Sequence, residues 1–352
     1  MGKKKIPEEG IYDARELGAG RMFVLGFQHM FAMFGATVLV PILTGLDVST
    51  TLLFAGLGTL LFHLITGGIV PAFLGSSFAF LGGYATIAPM IDGQPNKEML
   101  PYACFGVACA GLVYVILSAL FKAFGAKKVM RFFPPIVTGP IIIAIGLNLS
   151  SSAINNCAQN WWIAMVAIVI IIAANIWGKG MIKIIPILLG VIGSYVVAVI
   201  CDASVRETLV QNVSNAKWFA LPIYKEETVF GLLTSGNVDA HLLLTSVITI
   251  VPLSLATMVE HIGDVSAISS TCNRNYIENP GLHRTLMGDG LATTLAALFG
   301  APANTTYGEN TGVLALSKIY DPRVIRIAAI LAMCFSFSPK FAAIISSMPG
   351  GT

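Results

Sequence analysis

Long uninterrupted apolar runs constrain this chain more than any other feature. They recur from Met22 to the end of the sequence, for example at residues 136–147, 161–176 and 184–200. A helix needs about 20 mostly apolar residues to cross the hydrocarbon of a lipid bilayer. By this criterion we count about eleven such segments, two of them short. The runs therefore predict an all-α polytopic membrane protein.

Composition excludes a water-soluble domain. Only 11% of the 352 residues are charged, 55% are hydrophobic, and the mean hydropathy is +0.79. Soluble domains carry roughly 25% charged residues, so this chain lacks the polar surface that water requires. The net charge of +3 is too small and too dispersed to indicate a nucleic-acid partner.

Most of the Lys and Arg residues, 16 of the 21, fall in alternate loops between the apolar runs, on the same side as the N-terminus. By the positive-inside rule, this side is cytoplasmic. These residues precede the first span and follow the fourth, sixth, eighth and tenth: Lys3, Lys4, Lys5, Arg15, Arg21, Lys122, Lys127, Lys128, Arg131, Lys179, Lys183, Arg274, Arg284, Lys318, Arg323 and Arg326.

Sequence motifs of catalysis and of metal binding are missing. The chain contains neither HExxH nor GxSxG, so we expect a protein that is not an enzyme. Its cysteines form no CxxC pair and are interpreted as packing residues, so no metal site and no cofactor are expected. The cysteines are Cys104, Cys109, Cys157, Cys201, Cys272 and Cys334.

Two apolar stretches, residues 71–80 and 300–312, are poor in helix formers and each precedes a short helical run. Extended backbone at membrane depth leaves N–H and C=O groups unpaired, at a cost of several kcal/mol per group. Such stretches persist only against protein or a solvated cavity. If the two pair across a pseudo-two-fold axis, spare N–H donors and two helix N-termini point to the bilayer centre. We predict a site for a polar solute there.

Residues 202–239 interrupt the apolar pattern with mixed charge and turn formers. This stretch separates seven predicted spans from four more. Because seven is odd, two homologous halves would have opposite orientations in the membrane. The first and eighth spans then occupy matching places in an inverted repeat.

Three carboxylates are the main candidates for chemistry. Glu260 and Asp264 lie at i and i+4 on one helix face, and Glu309 follows Tyr307 and Gly308 where the second broken stretch turns into its helix. Charges inside a membrane are costly and are usually functional. The alternatives are a polar cytoplasmic helix end paired with Lys or Arg, which weighs most for Asp264, and an ordinary N-terminal helix glutamate for Glu309.

For a histidine and two aromatic residues, the sequence leaves two alternative roles open. His29 lies in the first span and needs a polar partner, for which Glu309 or the broken stretch is the candidate. A structural histidine and a substrate ligand remain equal alternatives. Phe78 and Phe80 either pack in the core or form an aromatic face beneath a flat ligand.

Five segments resemble the nucleobase-ascorbate transporter family (nucleobase:cation symporter-2), and within it the bacterial uracil permeases. The resemblance covers nearly the whole chain and implies fourteen spans in two inverted repeats of seven, in which spans three and ten begin as short strands. This chain would be C-terminally truncated, with about eleven of the fourteen spans present. The segments are residues 28–41, 74–80, 259–264, 279–284 and 304–313.

The resemblance also implies a division into a core domain that holds the substrate and a gate domain against which it moves. Residues 22–121 and 240–349 would be the two halves of the core. Residues 132–201 would be the first half of the gate, residues 202–239 an extracellular loop, and the second half of the gate would be missing.

Position by position, the resemblance implies Glu260 and Glu309 as nucleobase ligands. The backbones of Phe78 and Gly308 would make further contacts, and Ala36 would line the pocket.

A second group of residues would support the ligands or couple the proton. This group comprises Asp264, His29, Tyr307 and Ser77, with His29 supporting Glu309. Uracil permeases can carry a histidine where this chain has Asp264, so the route of the proton stays open.

The function implied by the resemblance is import of uracil, or a related pyrimidine, by symport with H⁺ across a bacterial inner membrane. The alternatives are a xanthine- or urate-type purine carrier of the same family, and a fragment that binds nucleobase without transporting it. A sulfate or bicarbonate carrier is disfavoured because no Lys or Arg is placed in mid-span. The expected partners are the solute, the lipid bilayer and, for the full-length family, a second copy in a homodimer.

Overall fold

The computed structural model describes residues 10–91, 94–129, 131, 135–179, 182, 185–236 and 238–351. Within these ranges the chain is mostly helical, with one two-stranded sheet. Lys3, Lys4, Lys5 and Lys183, which enter the orientation argument, lie outside these ranges. Residue 132, the first of the expected gate domain, also lies outside them.

The first part of the chain supplies two long helices, a strand and six further helices. Asp47 begins the second helix, because its side chain accepts a hydrogen bond from the backbone N–H of Thr50. A 3₁₀ turn, Phe78–Phe80, leads from the strand into a short helix. The elements are α1 (Ala19–Thr44), α2 (Val48–Ile65), β1 (Leu74–Ser76), α3 (Leu81–Ile87), α4 (Leu100–Phe124), α5 (Ala126–Val129), α6 (Pro135–Gln159), α7 (Trp161–Trp177) and α8 (Pro186–Cys201).

The remainder repeats this character, with a second short strand before a short helix. The elements are α9 (Ala203–Asn215), α10 (Val229–Thr234), α11 (Ala240–Ile250), α12 (Leu253–Thr271), α13 (Leu282–Leu298), β2 (Asn304–Thr306), α14 (Gly308–Ser317), α15 (Pro322–Ser336) and α16 (Pro339–Ser346).

The stretch 202–239, expected to be an extracellular loop, contains two helices, α9 and α10. Side-chain caps explain both helices: Asp202 accepts from the N–H of Ser204, and Thr228 accepts from the N–H of Gly231. The hydroxyl and the N–H of Ser204 both donate to the Asp202 carboxylate and hold its pKa below the usual value.

Four helical runs, the last of them formed by α11 and α12 together, are long and apolar enough to cross a membrane: Ala19–Thr44, Val48–Ile65, Leu100–Phe124 and Ala240–Thr271. Three more helix pairs qualify together, although each pair bends by more than 40° at a short break. The described residues therefore hold between four and seven spans by this test, against about eleven apolar segments in the sequence. One contribution to the difference is that a shorter apolar helix, Phe78–Ile87, does not meet the length criterion.

The two broken stretches pair with each other. Strand β1 runs antiparallel to β2, with Leu74 opposite Thr306, Gly75 opposite Thr305 and Ser76 opposite Asn304. At the two ends, Ser77 N–H donates to Ala303 O (2.8 Å) and Tyr307 N–H donates to Phe73 O (3.1 Å). The pairing satisfies the backbone groups that an extended segment leaves open, and the prediction of two short extended segments is confirmed.

Helix α13 joins the two parts of the chain because it packs against both α2 and α4. Glycines permit the close approach. A Cβ atom on Gly288 would lie 2.8 Å from the ring of Phe62, and one on Gly290 would lie 2.7 Å from the carbonyl oxygen of Gly111. The second-half helix is thereby enclosed by first-half helices, and its Asp289 is fully buried.

The N-terminal segment closes one end of the molecule. Ile11 forms a β-bridge with Ile319, and Tyr12 Oη donates to Cys272 O (2.6 Å). Arg274 lies 4.1 Å above the Tyr12 ring, and Arg323 forms an ion pair with Asp13 (2.9 Å). Basic residues from separate loops thus gather with the N-terminal segment at the same end.

We expect Gly75→Ala to destabilise the protein by about 1–3 kcal/mol, because it overpacks a filled site. A Cβ atom at Gly75 would lie 2.6 Å from both Thr37 Oγ1 and the Tyr307 ring. The measurement is the thermal unfolding midpoint in detergent. Gly82→Ala is the matched control, because no described atom lies within 4 Å of its Cβ position. Equal midpoints for the two variants would contradict this account of the strand pair.

Candidate functional site

A cavity of about 410 Å³ lies where α12 faces the strand pair and the beginning of α14. Small-molecule sites commonly measure roughly 300–1,000 Å³, so this volume suits a compact ligand. The lining residues come from four neighbouring elements and are mainly polar. They are Phe78, Glu260, Asp264, Thr305, Thr306, Tyr307, Gly308 and Glu309.

Carboxylates dominate the charge of this cavity. Glu260 and Asp264 stand one turn apart on α12 and are partly buried, whereas Glu309, the second residue of α14, is exposed. The structure brings all three into one wall, although α12 and α14 are far apart in sequence. Among the described lining residues there is no Lys or Arg. The site is therefore built to accept hydrogen bonds from a ligand, not to hold an anion.

Hydrogen-bond donors lie beside the carboxylates. Helix α14 begins at Gly308, and its N-cap residue, Tyr307, makes no side-chain hydrogen bond to the first turn within the described chain. The first N–H groups of a helix have no intrahelical acceptors, so they are open to a ligand. Thr305 Oγ1 is also buried and has no partner among the described residues. Donors and acceptors thus occur on adjacent parts of the wall.

Asp264 faces the strand pair. Thr306 Oγ1 donates a hydrogen bond to Asp264 Oδ2 over 3.0 Å. The sequence allowed two interpretations of Asp264, a site residue or part of a helix end paired with a basic loop. In the structure Asp264 lies in the cavity wall.

Tyr307 lines the cavity, and its hydroxyl also forms hydrogen bonds that hold neighbouring elements together. Its hydroxyl donates to Ser76 O (2.8 Å) and accepts from Thr37 Oγ1 (3.3 Å). Ser76 Oγ in turn donates to Thr37 O (2.9 Å), which ties β1 to α1. Ser77, the neighbouring candidate, is buried outside the lining set, and its Oγ has no partner in the described residues.

Two further expected positions can be located. His29 is buried and lies against Asn310, a residue of the second broken stretch, which was one of its two candidate partners, and not against Glu309: Asn310 Nδ2 is 3.1 Å from His29 Nδ1 and donates to His29 O over 3.1 Å. Successive helical residues point about 100° apart, so the two neighbours on α14 face different surroundings. Ala36 does not line the cavity and packs instead beside the apolar cluster that includes Met33 and Tyr307.

A buried pair of side chains beside the cavity was not predicted from the sequence. His261 Nδ1 lies 3.0 Å from Asp289 Oδ2, and both side chains are completely inaccessible. Thr305 and Thr306 were also not assigned a role. Asp289 carried a usable signal, because it is an ionisable residue between two glycines within an apolar helix, and such residues are costly to retain.

Spanning helices, two half-spans that meet through paired strands, and a polar cavity at their junction define a polytopic membrane transporter, not an enzyme. Comparison with known proteins identifies the group. Residues 20–351 match the Permease family, Xan_ur_permease. The chain belongs to this family, the nucleobase-ascorbate transporters, and the predicted resemblance is confirmed.

Two relatives show the extent of the similarity. The uracil permease of Bacillus caldolyticus is 39% identical over 94% of this chain and 74% of that protein. The uracil permease of Bacillus subtilis (strain 168) is 38% identical over 99% of this chain and 78% of that protein.

A solved structure supports the fold. The transmembrane domain of the cyanobacterial bicarbonate transporter BicA aligns with a TM-score of 0.61, over 97% of this chain and 90% of that domain. At 15% identity the likeness concerns the fold alone. The prediction of an all-α polytopic membrane transporter is confirmed.

Proposed function

We propose that this chain imports uracil or a related pyrimidine. The observation that carries the proposal is that Glu260 and Glu309 face one cavity, beside the open N-terminus of α14. The names of the relatives support it, since a putative pyrimidine permease of Escherichia coli (strain K12) is also 37% identical over 99% of this chain.

The donors and acceptors of uracil match this wall. Uracil is a flat, neutral ring with two N–H donors and two carbonyl acceptors. Glu260 and Glu309 accept from the ring N–H groups, while the N–H groups at Gly308 and the hydroxyl of Thr305 donate to the carbonyls. Hydrogen bonds with a charged partner are the stronger class, and Phe78 covers a ring face.

An anionic substrate fits this cavity poorly. Bicarbonate or sulfate would meet Glu260, Asp264 and Glu309 with no Lys or Arg among the described lining residues. Like charges at this range repel by several kcal/mol when water is partly excluded. The shared fold with BicA therefore does not extend to its substrate.

The proposed driving force is a proton gradient. A carboxylate of the cavity, Asp264 or Glu309, binds a proton from outside, uracil docks beside it, and both are released inside. The moving part is the core, residues 22–121 and 240–349, against the gate at residues 132–201. Transport of this kind needs no cofactor, and the coupling ion is H⁺.

We place the protein in a bacterial inner membrane with its N-terminus in the cytoplasm. Support comes from Arg274 and Arg323, which lie beside the N-terminal segment at one end of the bundle. Basic loops favour the cytoplasmic side. A homodimer is the proposed assembly of the full-length carrier.

The decisive experiment is uptake of labelled uracil into proteoliposomes with an imposed pH gradient, competed by thymine, xanthine and uric acid. We expect uptake that depends on the gradient and is not competed by the purines. A preference for xanthine would assign the chain to the purine carriers. Uptake that depends on Na⁺ would contradict coupling to H⁺. Binding of uracil without uptake would indicate a protein that binds the nucleobase but does not transport it.

Gly308→Val is expected to raise the KM for uracil about tenfold, which corresponds to the usual cost of overpacking a binding site. No described atom lies within 4 Å of a Cβ at Gly308, so the new side chain enters the cavity without disturbing the protein. Initial uptake rates over a range of uracil concentrations measure the effect.

Gly312→Val is the control for this prediction. It lies one turn further along α14, and its Cβ position is equally free of described neighbours, but it does not line the cavity. Equal KM values for the two variants would show that uracil does not approach Gly308.

A further inference from the structure

A buried histidine–aspartate pair lies just outside the cavity wall. His261 follows Glu260 on α12, but its side chain points away from the cavity toward α13, where Nδ1 lies 3.0 Å from Asp289 Oδ2. Both side chains have zero exposure. A polar side chain this deep is costly to bury without a partner, so each residue depends on the other.

One hydroxyl connects this pair with the cavity. Thr306 Oγ1 lies 3.5 Å from His261 Nδ1 and donates to Asp264 Oδ2 over 3.0 Å. Thr306 lies in β2 opposite Leu74 and itself lines the cavity. A continuous series of polar contacts therefore runs from Asp289 through His261 and Thr306 to Asp264.

The acceptors determine where the hydrogens lie. Asp289 Oδ2, at 3.0 Å, is the nearer of the two polar neighbours of His261 Nδ1, and a carboxylate oxygen accepts, so we assign the hydrogen to this nitrogen. Thr306 Oγ1 then faces an N–H group and presents a lone pair to it. Because a Thr hydroxyl has a single hydrogen, that hydrogen is left for Asp264.

Packing holds the imidazole in place. The Phe62 ring meets His261 edge-on, with centroids 6.5 Å apart and planes inclined by 72°. Gly288 lies against the same Phe62, and a larger residue there would displace the ring. This close approach of α13 to α2 is what brings Asp289 within reach of His261.

We propose that His261, held by Asp289, is a positioning residue for transport: it orients the Thr306 hydroxyl toward Asp264 and so fixes that carboxylate at the cavity wall. The inference rests on the proposed function. Its chemistry is independent of which nucleobase is carried, because no atom of His261 lines the cavity.

The first test removes the hydroxyl alone. Thr306→Val retains the shape and the strand pairing but cannot donate, whereas Thr306→Ser retains the donor. We expect Thr306→Val to lower uracil uptake about tenfold, the loss typical of one hydrogen bond to a charged group. Thr306→Ser should lie closer to the wild type than to Thr306→Val.

The second test asks whether His261 acts through Thr306. His261→Leu should lower uptake in the otherwise native carrier but add little in the Thr306→Val background, because coupled residues are not additive. His261→Asn keeps a donor near the Nδ1 position and His261→Gln moves it toward Nε2. We expect Asn to retain at least about threefold more uptake than Gln, since only Asn preserves this contact.

The outcomes separate the two hypotheses. Wild-type vesicles that take up no uracil would reject the proposed function. Wild-type uptake, with His261→Leu equally harmful in both backgrounds or with Gln as effective as Asn, would reject the positioning role alone. Size-exclusion profiles and unfolding midpoints report folding for every variant, and if no His261 variant folds, the pair is structural and the inference is rejected.

Discussion

Glu260→Gln is expected to weaken uracil binding by about 2–3 kcal/mol, or roughly 30- to 160-fold in Kd. In the proposed binding mode the carboxylate accepts from a ring N–H in a partly buried position, and the amide has nearly the same shape but no charge. One of its two ends becomes a donor, which cannot face another donor. The loss therefore combines a charge-assisted hydrogen bond with an unpaired polar group.

Equilibrium binding of labelled uracil to purified protein in detergent measures this effect without the complication of transport. Glu207→Gln is the matched control, because Glu207 is an exposed carboxylate on α9 and does not line the cavity. An unchanged Kd for Glu260→Gln would mean that this carboxylate does not contact the nucleobase.

Asp264→Asn is expected to abolish accumulation of uracil against a gradient. Exchange of uracil across the membrane should be retained. The Asn side chain retains an oxygen that accepts from the Thr306 hydroxyl, so the geometry of the wall is kept. It cannot take up or release a proton. Transport of solute without a coupled proton runs only to equilibrium.

Counterflow of labelled uracil and uptake driven by a pH gradient, measured in the same vesicles, separate exchange from accumulation. Wild-type accumulation should rise as the external pH falls, and that of Asp264→Asn should not respond. Glu309→Gln is tested in parallel. If only Glu309→Gln loses accumulation, the proton travels on Glu309; if both variants still accumulate uracil, neither carboxylate carries it.

The broken half-spans were predictable because a bilayer penalises unpaired backbone more severely than water does. Pro and Gly in residues 71–80 and 300–312, with Ser in the first stretch, marked places where a helix is interrupted, and pairing of the two stretches satisfies their backbone groups. The register was not predictable, since alignment of Leu74 with Thr306 depends on how α1 and α13 hold the two strands.

The acidic residues were recognisable for a similar reason. Glu260, Asp264 and Glu309 stand in apolar surroundings, where a charge is retained only for a purpose. The same rule applied to Asp289, which lies between two glycines and was assigned no role. Its partner, His261, then had no evident role.

The direction in which a side chain points around its helix axis could not be predicted. His29 contacts Asn310 and not Glu309, and Ala36 faces an apolar cluster and not the cavity. Each outcome depends on rotation of α1 and α14 by a fraction of a turn. That rotation is set by contacts with residues remote in sequence, such as the Thr37–Tyr307 hydrogen bond.

The sequence by itself determined that this chain resides in a bilayer, that two of its spans are broken, and that carboxylates are retained in their vicinity. These conclusions depend on the energy of transferring single groups from water to hydrocarbon, which is a property of each residue and its near neighbours. Only the tertiary structure decided which carboxylates share the cavity wall and which polar groups contact one another. Those matters depend on a few ångströms between side chains on separate helices, a distance that packing alone sets.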